Sequence, residues 1–210
     1  KMIVMSEYVS KYSFLLLAMV AIPLIAEMDT ILQLWLGEVP EYSSIFCQLI
    51  LIAALCDQLS VGLTSANQAI GNIRNYTLIF YTLKLMVLII GWVCLYFGMS
   101  VASILWCYVG IELFTSLLRL PLMKWIADIP ILPFCKHVFG RIIIPLIVMC
   151  SVCIICVRYI QTPYRLVITI GLSVVIGGIS IWLTAINKQE KEIIIQSLNR
   201  FIPHNAKRHS

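Results

Sequence analysis

The chain has 210 residues, of which 61% are hydrophobic and 12% are charged, and its formal net charge is +5. A soluble domain usually carries about 25% charged residues, so this composition excludes an ordinary soluble protein and predicts an integral membrane protein. The positive charges lie mainly between apolar runs, and no basic face or aromatic-basic motif occurs. The chain therefore has no nucleic-acid signature.

Long apolar runs predict an all-α, polytopic membrane helix bundle, because each run of roughly 20 residues can cross about 30 Å of hydrocarbon. Before and after the bundle we expect a cytoplasmic interfacial lead-in at residues 1–12 and a cytoplasmic amphipathic tail at residues 187–210. The transmembrane domain covers residues 13–186. Its six predicted spans are residues 13–35, 43–70, 77–97, 101–123, 138–159 and 166–186.

The connections between spans are predicted from breaker residues. Turns are expected at GEVPEY (Gly37–Tyr42), around Gly98 and at QTPYR (Gln161–Arg165), and a longer loop at Trp125–Lys136. In the last span, small residues should allow close helix approach. These residues are Gly171, Gly177 and Gly178.

The basic residues predict the orientation of the bundle. Twelve Lys and Arg residues fall on one side of the six spans, Arg158 and Arg165 fall on the other, and Lys84 lies inside a span. The positive-inside rule then places both termini of this chain in the cytoplasm. Because the chain starts at Lys1 in mid-pattern, we expect it to be part of a longer protein.

One stretch, CDQLSVGLTSANQAIGNIRNY (Cys56–Tyr76), is polar in an otherwise apolar chain. Polar groups are costly in hydrocarbon unless they face protein, water or a ligand. The stretch could form the wall of a hydrated cavity, or its amide and hydroxyl groups could bond helix to helix. We favour the cavity, as a polar stripe on one helix that runs from the cytoplasmic surface to the bilayer centre.

Three ionisable residues, Asp57, Lys84 and Glu112, fall near the middle of three consecutive spans, and Arg119 follows Glu112 two turns later on the same helix face. Intramembrane charges usually face a bundle interior or a water-filled cavity. They could bind a substrate or a coupling ion, or they could be internal ion pairs that set the helix register. The candidate substrate or ion path comprises Asp57, Gln58, Ser60, Thr64, Asn67, Gln68, Lys84, Glu112 and Arg119.

Other charged residues are weaker candidates. Arg74 and Arg141 set the orientation and could also contact a phosphate at the cytoplasmic face. Glu27 and Asp29, near the outer end of the first span, could line an outward path or be ordinary interfacial residues.

No catalytic motif is present: the sequence has no Gly-rich phosphate loop, no HExxH and no nucleophile elbow, which argues against an enzyme. His137, His204 and His209 are interpreted as solvated residues. Cys150, Cys153 and Cys156 repeat every third residue and are interpreted as packing residues rather than metal ligands. We predict no metal and no cofactor, with possible coupling to a proton or sodium gradient.

Two segments together resemble a known family. ILQLWLGEVPEYSSIFCQLILIAAL (Ile31–Leu55) and LSVGLTSANQAIGNIRNY (Leu59–Tyr76) are similar to the Wzx-like polysaccharide and O-antigen flippases of the multidrug/oligosaccharidyl-lipid/polysaccharide exporter superfamily. The resemblance covers the first half of the chain, and the remaining spans match in number and length. Lys84 matches no family position.

The resemblance implies a two-lobed bundle of about twelve to fourteen helices, with this chain as the C-terminal portion. It implies that alternating access moves an undecaprenyl-pyrophosphate-linked oligosaccharide across the bacterial inner (plasma) membrane for lipopolysaccharide or other surface polysaccharide. The implied partners are the lipid-linked oligosaccharide, membrane lipid and the polysaccharide polymerase machinery.

Two other functions remain open. A cation-coupled multidrug exporter of the same superfamily should have an apolar, aromatic pocket with little positive lining, and Lys84 and Arg119 argue against it. A non-transporting scaffold subunit of a polysaccharide synthesis complex would use Asp57 and Glu112 only for helix contacts.

Overall fold

The computed structural model describes residues 2–71, 73–127, 131–160, 162, 164–186 and 190–191, without the side chains of residues 75 and 127. The regular structure in these ranges is entirely helical, which confirms the predicted all-α class. The helices are α1 (Met2–Ala26), α2 (Met28–Leu36), α3 (Ser43–Gln58), α4 (Val61–Ile70), α5 (Ile73–Tyr96), α6 (Val101–Ala127), α7 (Ile131–Tyr159) and α8 (Arg165–Ser180), followed by a π-helical turn at Ile181–Ala185.

Several helices are suited to a membrane. Within the described ranges, five helices are long and apolar enough to cross one, and a sixth span results if the bent pair α3 and α4 counts as one. This fits the predicted multi-pass protein. The outward faces of these helices carry large apolar side chains, such as Leu88 and Trp92 on α5 and Ile147 on α7, as expected for contact with lipid.

The structure describes residues 2–12 of the predicted interfacial lead-in, and they form the first part of α1, which continues into the predicted first span. Ser6, Ser10 and Lys11 are buried against other helices. Sequence alone could not show this, because polar residues at a helix end are typical of an interface, whereas here each has a partner inside the protein.

The predicted first span, residues 13–35, is interrupted. α1 ends at Ala26 and α2 begins at Met28. Pro23 lies inside the last turn of α1, and its carbonyl accepts a hydrogen bond from the backbone N–H of Glu27 at 3.1 Å. The chain bridges the interruption because the Glu27 carbonyl in turn accepts from the N–H of Ile31 at 3.0 Å.

The predicted second span, residues 43–70, is also broken. α3 ends at Gln58, α4 begins at Val61, and the two helices are bent by 45°. The polar stripe therefore does not lie on one continuous helix: Asp57 belongs to α3 and the residues from Thr64 to Gln68 to α4.

Two of the three predicted turns coincide with positive backbone φ angles. Gly37 has φ 74° and Gly98 has φ 70°, in the region that glycine adopts without steric cost. The predicted long loop at Trp125–Lys136 is wrong, because α6 continues to Ala127 and α7 begins at Ile131. Pro133 lies in the first turn of α7, where a missing N–H costs no helical hydrogen bond.

The bundle is centred on α1, which packs against α3, α4, α7 and α8, while α6 packs against α3 and α5. Of the three glycines of the last span, Gly177 lies where a Cβ would meet the Met149 sulfur at 2.7 Å, so α7 and α8 do approach closely there. Gly178 has only ordinary contact, and Gly171 has nothing within 4 Å. Of the three, only Gly177 needs to be a glycine for the helices to pack this closely.

Candidate functional site

Four charged side chains from α3, α5 and α6 form one connected chain of ion pairs. Arg119 Nη2 lies 3.0 Å from Asp57 Oδ1, Lys84 Nζ lies 3.5 Å from the same oxygen, and Lys84 Nζ lies 2.9 Å from Glu112 Oε1. The structure therefore brings together the four charged residues that the sequence singled out. Two acidic and two basic groups balance in formal charge.

The chain of ion pairs is buried at both ends and open in the middle. The exposed fraction of the side chain is 2% for Glu112 and 8% for Arg119, but 31% for Lys84 and 33% for Asp57. Lys84 is the twelfth of the 24 residues of α5, so its ammonium is held at mid-helix by two carboxylates. Isolated charges would be costly at this depth, and pairing offsets part of that cost.

The break between α3 and α4 contributes directly to this cluster. Ser60, at the break, accepts a hydrogen bond from Arg119 Nη1 at 3.0 Å, and its hydroxyl lies 2.9 Å from that of Ser116 on α6. A broken helix leaves polar groups that must find partners in an apolar environment. Here α6 provides two partners for the Ser60 hydroxyl, so the bend positions this side chain beside Arg119.

α1 holds the start of α4 in place. The first N–H groups of a helix lack partners within it, and the N–H of Gly62 donates to Ser10 Oγ on α1 at 3.0 Å. A Cβ on Gly62 would collide with the backbone carbonyl of Ser6. The close backbone approach and the side-chain cap together fix the direction of α4 after the bend.

A cavity of about 250 Å³ opens beside the charged cluster. It extends along α5 from Tyr76 to Lys84, a rise of about 12 Å along the helix. The Thr64 and Tyr76 hydroxyls lie 3.1 Å apart across it, joining α4 to α5. Its lining mixes charge, hydroxyl, amide and aromatic groups: Asp57, Val61, Thr64, Asn67, Gln68, Tyr76, Thr77, Phe80, Tyr81, Lys84 and Arg119.

Most of the predicted path residues meet at this cavity. Asp57, Thr64, Asn67, Gln68, Lys84 and Arg119 line it, Ser60 is buried behind Arg119, and Glu112 is buried behind Lys84. The structure does not bring Gln58, Arg74 and Arg141 to the cavity lining. Gln58 is half-buried, Arg74 is exposed on the first turn of α5, and Arg141 lines a different cavity.

The sequence interpretation missed the α5 wall of the cavity. Tyr76, Phe80 and Lys84 recur every four residues and so share one helix face. The Arg119 guanidinium lies 5.4 Å from the centre of the Phe80 ring, a cation–π distance. The spacing of two aromatic residues before an intramembrane lysine was the signal that could have identified this face.

A second charged cluster joins the two ends of the described chain. Lys11 Nζ lies 2.8 Å from both carboxylate oxygens of Glu190, and the Tyr12 hydroxyl lies 3.0 Å from one of them. Arg141 Nη1 is 4.0 Å from the same carboxylate. Glu190 falls in the predicted surface tail but is 3% exposed. Of residues 187–210, the structure describes only Glu190 and Lys191.

Glu7 and His137 line a cavity of about 240 Å³ together with Lys11, Arg141 and Glu190 of this second cluster. The side chains of Glu7 and His137 lie 3.1 Å apart. His137 is exposed, which agrees with its interpretation as a solvated residue. His204 and His209 lie outside the described residues.

A third cluster lies at the opposite end of α1. The Glu27 carboxylate is fully buried and accepts hydrogen bonds from Arg165 at 2.9 Å, Thr30 at 2.9 Å and Thr169 at 3.0 Å. Asp29 is exposed. Glu27 therefore ties the junction of α1 and α2 to α8 as an ion pair, while Asp29 behaves as an ordinary surface residue.

The cysteines lie in packed surroundings: Cys153 and Cys156 are buried, and Cys150 is half-buried. Among the described residues, no group of three or more His, Cys, Asp or Glu side chains could hold a metal ion.

Comparison with protein-family models, with curated proteins and with solved structures returns no match to this chain.

Proposed function

We propose that this chain is part of a membrane transporter that moves an amphiphile with an anionic, hydroxyl-rich headgroup, and that it acts as a lipid-linked oligosaccharide flippase. The observation that carries this proposal is the half-polar cavity beside Asp57, Lys84 and Arg119, in a bundle whose outer faces are apolar. A sugar-phosphate headgroup cannot cross hydrocarbon without such a polar path.

The chemistry of the lining supports this headgroup. Thr64 and Gln68 offer hydroxyl and amide groups that exchange hydrogen bonds with sugar hydroxyls. Arg119 and Lys84 offer the cationic donors that suit phosphate oxygens. The lipid tail of the substrate would stay in the bilayer, next to the apolar outer faces of the bundle.

Alternating access is the mechanism that fits this arrangement. The cavity would take the headgroup from the cytoplasmic side, and movement of one helix bundle against another would open it to the other side. The bend between α3 and α4 supports this mechanism, because a broken span at the substrate site is a feature of such transporters. Glu112 and Lys84 would provide an ionisable pair for coupling to a proton or sodium gradient.

The cavity favours this function over the two alternatives. A multidrug exporter of cationic drugs would need a carboxylate available to the drug, whereas the Asp57 carboxylate in this cavity is already shared by Arg119 and Lys84. A scaffold subunit would use charged residues for contacts between helices, where they are buried. Here the charged side chains of Lys84 and Asp57 are partly exposed in a cavity. An enzymatic function has no motif to support it.

The test is export of surface polysaccharide by cells that carry the full-length protein with Asp57→Asn, Glu112→Gln or Arg119→Ala. Each variant should reduce surface glycan, and lipid-linked precursor should accumulate inside the cell. Asp29→Asn and Arg158→Ala are matched controls, since both residues are exposed and lie outside the cavity. Normal surface glycan in all three cavity variants, with normal insertion, would refute the proposal.

The same variants separate the alternatives. If the cavity variants instead lose efflux of a fluorescent lipophilic cation while surface glycan stays normal, the protein is a drug exporter. If neither activity changes, but membrane recovery of a polysaccharide synthase falls when the whole chain is deleted, the scaffold function is correct.

A further inference from the structure

The carboxylate of Asp57 occupies the position that an anionic ligand of the cavity would take. Its Oδ1 is shared by Arg119 Nη2 at 3.0 Å and Lys84 Nζ at 3.5 Å. Both cations line the cavity, and so does Asp57. A phosphate oxygen that entered the cavity would meet these same two donors.

The two carboxylates of the cluster differ in how firmly they are held. Glu112 is 2% exposed, so it can leave Lys84 only if the helices separate. Asp57 is 33% exposed and borders the cavity, so water can solvate it as soon as it leaves Arg119. Of the two, only Asp57 can be displaced without burying an unpaired charge.

Contacts that do not involve Asp57 hold the Arg119 guanidinium in place. Its Nη1 is held by Ser60 and its guanidinium lies over the Phe80 ring, and neither contact involves Asp57. Its Nε, buried, has no hydrogen-bond partner among the described residues. The guanidinium would therefore keep its position when Asp57 leaves, and its Nη2 would be free to donate to a new anion.

We propose that Asp57 is an internal competitor for the anion site of the cavity: a phosphate or pyrophosphate group displaces its carboxylate from Arg119 and Lys84 when the substrate binds. This rests on the proposed function, which supplies the anionic headgroup. The exchange keeps the two cations paired in both the empty and the loaded state, and the displaced carboxylate of Asp57, which is partly exposed, is solvated by water. It also sets specificity, because a neutral or cationic headgroup cannot displace Asp57.

The test is the binding of inorganic pyrophosphate to the purified full-length protein in phosphatidylcholine nanodiscs, measured by calorimetry. Asp57→Asn keeps the shape of the side chain but removes the competing charge, so affinity for pyrophosphate should rise about tenfold or more, the effect expected for hydrogen bonds to charged groups. Arg119→Ala and Lys84→Met should each weaken binding. Asp29→Asn, which makes the same change in net charge at an exposed site, should leave affinity unchanged.

Two results would overturn the proposal. One is an Asp57→Asn variant that is folded but binds pyrophosphate no more tightly than the parent. The other is an equal gain in Asp29→Asn, which would show that net charge alone is responsible.

A second measurement uses the unmodified protein and so does not depend on how any variant folds. A water-soluble carbodiimide should modify Asp57 faster when pyrophosphate is present, because the displaced carboxylate faces water. Mass spectrometry of the peptide that contains Asp57 gives the rate. Slower or unchanged modification would contradict displacement.

Competing lipid identifies the source of the anion. If phosphatidylglycerol nanodiscs suppress pyrophosphate binding to Asp57→Asn, a lipid phosphate reaches the same two cations; if they do not, the site selects pyrophosphate. Both outcomes support an exchangeable anion at Arg119 and Lys84. If Asp57→Asn changes pyrophosphate binding but glycan export stays normal, the anion exchange is supported and the flippase function is refuted. If Asp57→Asn loses export but binds pyrophosphate as the parent does, the flippase function is supported and the anion exchange is refuted.

Discussion

The ammonium group of Lys11 lies 2.8 Å from both carboxylate oxygens of Glu190, although the two residues are 179 positions apart. Both side chains are almost fully buried, at 2% and 3% exposed. Lys11 also donates to the backbone carbonyl of Ala185, at the end of the π-helical turn. This pair anchors the segment after the last helix to α1.

Removing one member of this pair should destabilise the protein strongly. We expect Glu190→Ala to lower the free energy of unfolding by about 3–5 kcal/mol, because the Lys11 charge would stay buried without its carboxylate. Thermal unfolding of the detergent-solubilised protein measures this. His137→Gln is the control: it removes an exposed contact with Glu7 worth at most about 1 kcal/mol. Equal effects of the two substitutions would contradict the buried pairing.

Gly62 should tolerate no side chain. Gly62→Ala would drive a Cβ into the carbonyl of Ser6, and a backbone atom cannot move aside cheaply, so we expect a loss of about 1–3 kcal/mol or more. Gly110→Ala on α6 is the matched control, because nothing lies within 4 Å of its added Cβ. Alanine is the better helix former by about 1 kcal/mol, so the control should be neutral or stabilising. A stable Gly62→Ala protein would show that α1 and α4 are further apart.

Lys84 and Glu112 should show strong energetic coupling. Lys84→Met leaves the buried Glu112 carboxylate without its ion pair and should cost about 1–3 kcal/mol. In the double variant Lys84→Met/Glu112→Gln the charge and its partner are both absent, and part of that loss should be recovered. The readout is the midpoint of thermal unfolding for the two single variants and the double variant. Strictly additive effects would mean that the two side chains do not interact.

Arg165 should be needed to keep α8 against α1. Arg165→Ala removes the cation that holds the fully buried Glu27, so α8 should become more accessible to limited proteolysis near its N-terminus. Arg165→Lys should restore only part of the protection, because lysine cannot reproduce the two contacts that the guanidinium makes with Glu27. Arg158→Ala, at an exposed position, should behave like the parent.

The predicted orientation can be tested at the two ends of α5. In a variant whose native cysteines are replaced, Arg74→Cys should be protected from a membrane-impermeant maleimide added to intact cells, while Met99→Cys should react. Both positions are exposed, so a difference in labelling reports the side of the membrane. Labelling of Arg74→Cys from outside would invert the predicted topology.

The amino-acid sequence was sufficient to predict an all-helical, multi-pass membrane protein and a concentration of polar residues between Asp57 and Gln68. Hydropathy and charge are properties of the residues themselves, so membrane-spanning helices can be predicted from long apolar runs in the sequence. The same reasoning identified Asp57, Lys84, Glu112 and Arg119, because charged side chains inside apolar spans are conspicuous.

The pairing of these residues and the positions of the helix breaks depend on contacts between helices, which the sequence does not show. Lys84 meets two carboxylates and Arg119 meets Asp57 and Ser60 because α3, α5 and α6 pack side by side. The break at Ser60 carries no proline. It is stabilised by the Ser116 hydroxyl on α6, which contacts that of Ser60, and by the Ser10 hydroxyl on α1, which accepts from the N–H of Gly62. Lys11 looked interfacial because Glu190, which neutralises it, lies far away in the chain. Partners distant in sequence cannot be read from local hydropathy, and they decide whether a polar residue faces water, lipid or protein.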